Sequence, residues 1–235
     1  MTKLITECNN FLKNSGTTYA ICGGWALDLF LNKKTRHHAD IDISIFEEDR
    51  KSILQFMIKK SWNAYMPPPK LKPISNQDDN KALDHHAIWA IKPGCSLIKL
   101  KPIPKEECTY TYEILNREQL NFDFIEIIFN KQTDGKFTFD PFISQGKNIS
   151  RELDKAILYY DDIPYLAPEI MLFIISHPAY MESDYHKDKN HTDFNAVAPF
   201  LQKESKEWLI NAFETAYPEG HRRLEQLKSD DAMNL

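Results

Sequence analysis

The sequence has few cysteines, and none in a spacing that carries chemistry. Cys8, Cys22, Cys95 and Cys108 are scattered along 235 residues with no C-x-x-C pair, which predicts a reduced, cytoplasmic protein with inert thiols. The N-terminal stretch MTKLITECNNFLKNSG lacks the unbroken apolar run of a signal peptide. Long apolar runs are missing elsewhere too. The best candidate, residues 163–181, is interrupted by Pro164, Pro168, Glu169, His177 and Pro178, too broken for a membrane span. There is no basic excess: 29 Lys and Arg stand against 34 Asp and Glu, a net charge of −5. That argues against a broad nucleic-acid-binding face. It leaves room for a cationic small substrate, and it is equally the charge of an ordinary soluble surface. The phosphate-binding pattern G-x-x-x-x-G-K-[ST], the dinucleotide fingerprint G-x-G-x-x-G and the nucleophile elbow G-x-S-x-G are all absent.

What is present predicts a globular chain. Hydrophobic residues make up 42% and charged residues 27%, and the length suffices for one large domain or two small ones. Helical spacing covers residues 4–13, a short apolar strand covers 19–22, and a helix follows Gly23-Gly24 over 26–31. A polar loop over 33–38 leads to a strand over 40–45 and a helix over 48–60. The middle is β-rich, with strands at 86–91, 97–100, 109–115 and 121–129. Pro67-Pro68-Pro69 and residues 76–80 are turn or loop chemistry, and Asp134-Gly135 is a hairpin dipeptide. From Pro168 the chain turns helical, over 168–176, 192–202, 205–217 and 219–228. The shift near residue 150 suggests a core over 1–150 and a C-terminal helical region over 151–235, with a soft boundary.

The most informative residues are Asp40 and Asp42, in Ala39-Asp40-Ile41-Asp42-Ile43. Strand side chains alternate between faces, so carboxylates two apart point the same way and can share a cation. Mg²⁺ takes oxygen ligands, commonly one or two carboxylates plus substrate phosphates. Upstream, Gly23-Gly24 opens a helix, whose N-terminus presents backbone N–H groups and a partial positive charge suited to phosphate. A lone D-x-D is weak, and metal-dependent glycosyltransferases use one to hold Mn²⁺. The order strand, Gly-Gly, helix, basic loop, acidic strand is what gives the signal weight.

Those residues resemble a known family. Gly23-Gly24-Trp25-Ala26-Leu27-Asp28, followed by Thr35-Arg36-His37-His38-Ala39-Asp40-Ile41-Asp42, is similar to the G-G-W-A-L-D and T-R-E-H-x-D-I-D of aminoglycoside 2″-adenylyltransferase-like and lincosamide nucleotidyltransferases, within the polymerase-β-like superfamily. His37 stands where the family has Glu. Downstream, Asp162-Ile163-Pro164-Tyr165-Leu166-Ala167-Pro168-Glu169 resembles G-I-P-Y-L-A-P-E, and Lys189-Asn190-His191-Thr192-Asp193-Phe194 resembles K-D-x-x-D-F. Asn190 replaces the family's Asp, and Ile175 stands where the family usually has Lys.

The resemblance implies an α+β fold, a mixed sheet backed by helices with a small C-terminal helical cap. It implies antibiotic-resistance chemistry: a nucleoside monophosphate, AMP from ATP in the first instance, moves to a hydroxyl of a small aminoglycoside or lincosamide acceptor, and pyrophosphate leaves. Two Mg²⁺ ions would serve, with Mn²⁺ as a possible substitute. Asp40 and Asp42 would hold metal, and a third carboxylate on strand 121–129 would complete the site. Periodicity does not choose between Glu126 and Asp123, since both faces of that strand are otherwise apolar. Counting back from the hairpin favours Glu126, with Asp123 the alternative. Gly23 and Gly24 would meet phosphates. Arg36 would touch phosphates or else hold the loop, and Lys189 would contact phosphate or else form a plain helix pair with Asp193. Thr35 and His38 would support the metal carboxylates. Trp25 reads first as helix packing, and His86 as a sheet histidine. Neither a membrane nor a nucleic acid is expected as partner. Three other readings stay open: a toxin-type nucleotidyltransferase acting on tRNA or protein, a metal-dependent glycosyltransferase, and a nucleotide-binding module without catalysis, the last motivated by Ile175 and Asn190.

Overall fold

The computed structural model describes residues 3–38, 40–75, 85–115, 121–184 and 186–232, with the backbone alone at 230–232. Ala39 and the loop expected at 76–80 lie outside the described residues. The elements are α1 (Lys3–Leu12), β1 (Tyr19–Cys22), α2 (Gly23–Leu31), β2 (Asp42–Phe46), α3 (Arg50–Lys59), β3 (Asn63–Tyr65), β4 (Ala87–Ile91), β5 (Ile98–Pro102), β6 (Tyr110–Ile114) and β7 (Phe124–Thr133). Then come β8 (Lys136–Thr138), β9 (Ser150–Glu152), α4 (Leu153–Ala156), β10 (Ile157–Tyr160), β11 (Ile163–Leu166), α5 (Pro168–Ile175), α6 (Pro178–Met181), α7 (Lys187–Val197), α8 (Lys203–Ala216) and α9 (Arg222–Ala232). This is the α+β class with a mixed sheet. The chain forms two compact units, residues 1–25 with 36–130, and residues 26–35 with 131–235.

The first unit is built on strands in the order β1-β2-β7-β4-β3. β2 and β7 run parallel, and the other neighbours run antiparallel. The register lines up Ile21, Ile43, Ile127 and Ile88 across four strands. None of the four is more than 1% exposed, so each contributes roughly 1.5–3 kcal/mol of burial. One residue along, the register lines up Cys22, Asp42, Glu126, Trp89 and Tyr65. Neighbouring residues on a strand face opposite ways, so the isoleucine row seals one face and the acidic row lies on the other. At its outer end the acidic row runs into an aromatic and aliphatic cluster of Tyr65, Leu71, Trp89, Ile91, Leu97, Ile98 and Phe124. The β5–β6 hairpin forms a separate two-stranded sheet, and its Tyr112 meets Trp89 edge-on at 5.0 Å between ring centroids.

The second unit is mainly helical. β8 pairs with the end of β7 across Asp134-Gly135, where φ is +51° and +73°, as the expected hairpin dipeptide requires. Phe173 on α5 packs on Phe213 of α8 at 5.5 Å and on Phe139 at 5.1 Å. Arg151, on β9, donates from Nη2 to Glu169 Oε1 at 2.7 Å in a buried pair, and its guanidinium lies over Trp208. His221 stacks on Phe213 at 4.7 Å and accepts at Nδ1 from the Arg223 main-chain N–H. Burial, and then the Arg223 charge, hold its pKa below the ordinary histidine value. Burial does the same to His177.

Two predictions follow from this packing. Ile127→Ala should cost about 2–5 kcal/mol of unfolding free energy in a urea titration; a cost under about 1 kcal/mol contradicts the sealed isoleucine row. The unfolded histidines bind protons at a pH where folded His177 and His221 remain neutral, so stability falls as pH drops through the ordinary histidine range. Urea midpoints taken from pH about 8 to about 5 should fall, and fall less steeply in His221→Asn.

Candidate functional site

The turn from β1 into α2 brings the backbone against β2. Gly23 has φ +64°, and a Cβ there would collide with the Asp42 carboxylate. Gly24 lies under the loop that follows α2: a Cβ on it would sit 2.5 Å from Arg36 Nη2 and 2.5 Å from His38 Nδ1. Glycine is therefore required at both positions, at the first by conformation as well as by space. The first turn of α2 has N–H groups without intrahelical partners and the positive end of the helix dipole. The Arg36 guanidinium lies over that turn and donates from Nη1 to the His37 carbonyl at 3.0 Å.

Asp42 opens β2 and stands directly opposite Glu126 on β7. Asp40 is not in the strand. It lies in a bend, and its main-chain carbonyl accepts from Trp25 Nε1 at 2.8 Å. The ladder begins one residue later, where Glu126 N–H donates to the Ile41 carbonyl at 3.0 Å. Strand alternation thus does not place Asp40 beside Asp42; a side chain from α2 holds the Asp40 backbone. The same Trp25 packs its ring on the buried His38 at 4.4 Å.

The three carboxylates are felt at one place. Burial pushes the Cys22 thiol well above its usual range, and the charges of Asp42, Glu126 and Asp40, in that order, raise it further. Asp123 is differently employed. Its carboxylate accepts from Ser96 N–H at 2.8 Å and Ser96 Oγ at 2.7 Å, with Cys95 Sγ at 3.4 Å, and so secures the turn between β4 and β5. Among the described residues no three His, Cys, Asp or Glu side chains are arranged to hold a metal ion. The donors on this face are nonetheless carboxylate oxygens, the ligand type that suits a hard divalent cation such as Mg²⁺.

In the second unit, Thr35 donates from its N–H and its Oγ1 to one oxygen of the buried Asp28, at 2.9 and 2.6 Å. Thr35 is therefore the anchor of the segment leading to Arg36. Asp28 had drawn no role from the sequence; the signal was its place seven residues before Thr35 in the same motif. Lys189 lies half-buried on α7. Asn190, buried, donates to the Ile175 carbonyl at 3.2 Å. The Asn190 side chain thus meets the backbone at 175, not the Ile175 side chain. His86 uses its main-chain carbonyl to accept from Phe129 N–H at 2.8 Å.

The turn geometry has a direct test. Gly94 also has a positive φ but open space around it. Gly94→Ala should cost only backbone strain, about 1–2 kcal/mol. Gly23→Ala should cost clearly more by urea unfolding, since it adds the collision with Asp42; equal costs would contradict the close approach.

The Gly-Gly turn, the Arg36 loop and the facing carboxylates all lie within the portion of the chain recognised by a family model. The model for aminoglycoside-2″-adenylyltransferase matches residues 4–132. No curated protein matches the chain. Among solved structures it is similar to the lincosamide antibiotic adenylyltransferase LnuA in its lincomycin-bound form, at 16% identity and TM-score 0.46, covering 84% of this chain and 98% of that one. It is also similar to the antibiotic-resistance factor ANT(2″)-Ia in solution, at 13% identity and TM-score 0.43, covering 92% of each chain. ANT(2″)-Ia in complex with adenylyl-2″-tobramycin gives 10% identity and TM-score 0.41, covering 90% of this chain and 97% of that one. No helix among the described residues is long and apolar enough to cross a membrane. The family match spans more than half of the chain and includes every residue from the Gly-Gly turn to Glu126: the chain belongs to the aminoglycoside-2″-adenylyltransferase family of nucleotidyltransferase enzymes.

Proposed function

We propose that this protein transfers a nucleoside monophosphate from an NTP, ATP in the first instance, to a hydroxyl of a small antibiotic, an aminoglycoside or a lincosamide. The observation that carries the reading is Asp42 opposite Glu126 on parallel strands, beside a Gly-Gly helix start overlain by Arg36. The core is read as polymerase-β-like. Asp40 and Asp42 hold Mg²⁺, with Glu126 as the third carboxylate in preference to Asp123, which already accepts from Ser96. Bound there, Mg²⁺ supplies charge neutralisation for the phosphates. Arg36 and the first-turn N–H groups of α2 bind phosphate oxygens. Glu126 takes the proton of the acceptor hydroxyl. The acceptor oxygen forms its bond to the α-phosphorus as the bond to pyrophosphate breaks, and pyrophosphate leaves with that electron pair. Lys189 is assigned a phosphate contact on the strength of its match to the family motif. His38 and Thr35 have supporting roles, His38 through Trp25 and Thr35 through Asp28.

A net charge of −5 is compatible with a cationic acceptor and so with an aminoglycoside. Asn190 donates to the main-chain carbonyl of Ile175, a bond open to any side chain at 175. A nucleotide-binding module without catalysis is the second reading that the two departures motivate, and ATP binding without turnover would support it.

The test is a panel of NTPs with Mg²⁺ against aminoglycoside and lincosamide acceptors, read as pyrophosphate release and as acceptor mass gain. Turnover with at least one acceptor is expected. Asp42→Asn should abolish it with the melting temperature retained, and Glu126→Gln should lower kcat by about 10²–10⁴-fold. Full activity in Asp42→Asn overturns the assignment of the site, and no release with any acceptor overturns the function.

A further inference from the structure

Asp40 is the one proposed metal carboxylate that no strand holds. Asp42 and Glu126 stand in the ladder, fixed by main-chain hydrogen bonds on both sides. Asp40 lies in a bend two residues upstream of Asp42, and a bend leaves a side chain free to swing unless something else pins the backbone. Here the pin is Trp25. Its indole N–H donates to the Asp40 carbonyl at 2.8 Å, and its ring packs on His38, two residues before Asp40, at 4.4 Å. Trp25 is 5% exposed and His38 is 2% exposed, so the ring contact is buried, and the hydrogen bond to the half-buried Asp40 is partly so. Trp25 itself is fixed, since it sits in the first turn of α2 directly after the glycine pair that packs against Asp42, Arg36 and His38. A single side chain therefore ties the helix start to the acidic bend at two points.

We propose that Trp25 is a positioning residue for the metal: the indole bond to the Asp40 carbonyl fixes the bend that aims the Asp40 carboxylate. The inference rests on the nucleotidyl-transfer reading above. It assigns Trp25 a role through the backbone of a ligand, not contact with nucleotide or acceptor. Outer partners of metal ligands commonly cost about ten- to a hundredfold in metal affinity when removed.

Trp25→Phe keeps a ring against His38 and removes the N–H. The probe is Mn²⁺, titrated by electron paramagnetic resonance in the presence of a non-hydrolysable ATP analogue, with the melting temperature recorded alongside. Trp25→Phe should weaken Mn²⁺ binding about tenfold. In an Asp40→Asn background the same substitution should change Mn²⁺ affinity less than about twofold, because a double-mutant cycle isolates the coupling between the two residues. If Trp25→Phe binds Mn²⁺ as the parent does, the inference is overturned while the nucleotidyl-transfer reading stands. If the loss is equal in both backgrounds, Trp25 acts by general packing and the inference is again overturned. If the parent binds no Mn²⁺ with the analogue present, both the reading and the inference fall.

Discussion

The parallel pairing of β2 with β7 is the constraint on which the site depends. It sets Asp42 opposite Glu126 and, one residue along, Ile43 opposite Ile127. A slip of one residue would exchange the two rows, pushing carboxylates into the sealed face and isoleucines out of it. Burying even one unpaired carboxylate costs several kcal/mol, and exposing an isoleucine forgoes about 1.5–3 kcal/mol. The apolar row therefore enforces the register of the acidic one. Chemistry on one face is held in place by hydrophobicity on the other.

Much of this could be read from the chain before its structure was known, for identifiable reasons. Tyr19–Cys22 and the Asp134-Gly135 hairpin stand as expected, since a short apolar run closed by glycines and an Asp-Gly dipeptide are local signals. Glu126 and Asp123 were indistinguishable by periodicity, because both faces of β7 are apolar in sequence. What separates them is long-range: Glu126 faces a strand 84 positions away, and Asp123 closes a turn on Ser96. Asp40 was expected inside a strand on alternation alone. It falls outside because its carbonyl is captured by a helix side chain, an interaction that no local pattern encodes. The strands β10 and β11 were missed as well, β11 because Pro164 interrupts an apolar stretch and Tyr165-Leu166 runs straight into the helix at Pro168.

The second unit illustrates how a buried charge is tolerated. Arg151 reaches Glu169 from two of its nitrogens and lies over Trp208, and Glu169 is all but inaccessible. Removing Arg151 would leave the Glu169 carboxylate uncompensated in the interior, which is far costlier than the pair is favourable, whereas Arg151 has a second carboxylate in Glu204, 3.5 Å from its Nη1. The Asn190–Ile175 contact is the opposite solution. A carboxylate at 190 has no proton to donate to the Ile175 carbonyl, whereas the amide does. The neutral residue satisfies the partly buried carbonyl without requiring a cation nearby.

Cys22 occupies the end of the acidic row, opposite Asp42. Its thiol is driven towards the protonated form by burial and by all three carboxylates. A protonated sulfur is a poor nucleophile and a poor ligand. Oxidants and alkylating agents should therefore pass it by while the chain is folded, and thiophilic ions gain no soft donor from it. The same negative charge that suits the face to a hard cation keeps the Cys22 sulfur chemically silent, so the acids insulate their neighbour as well as present themselves.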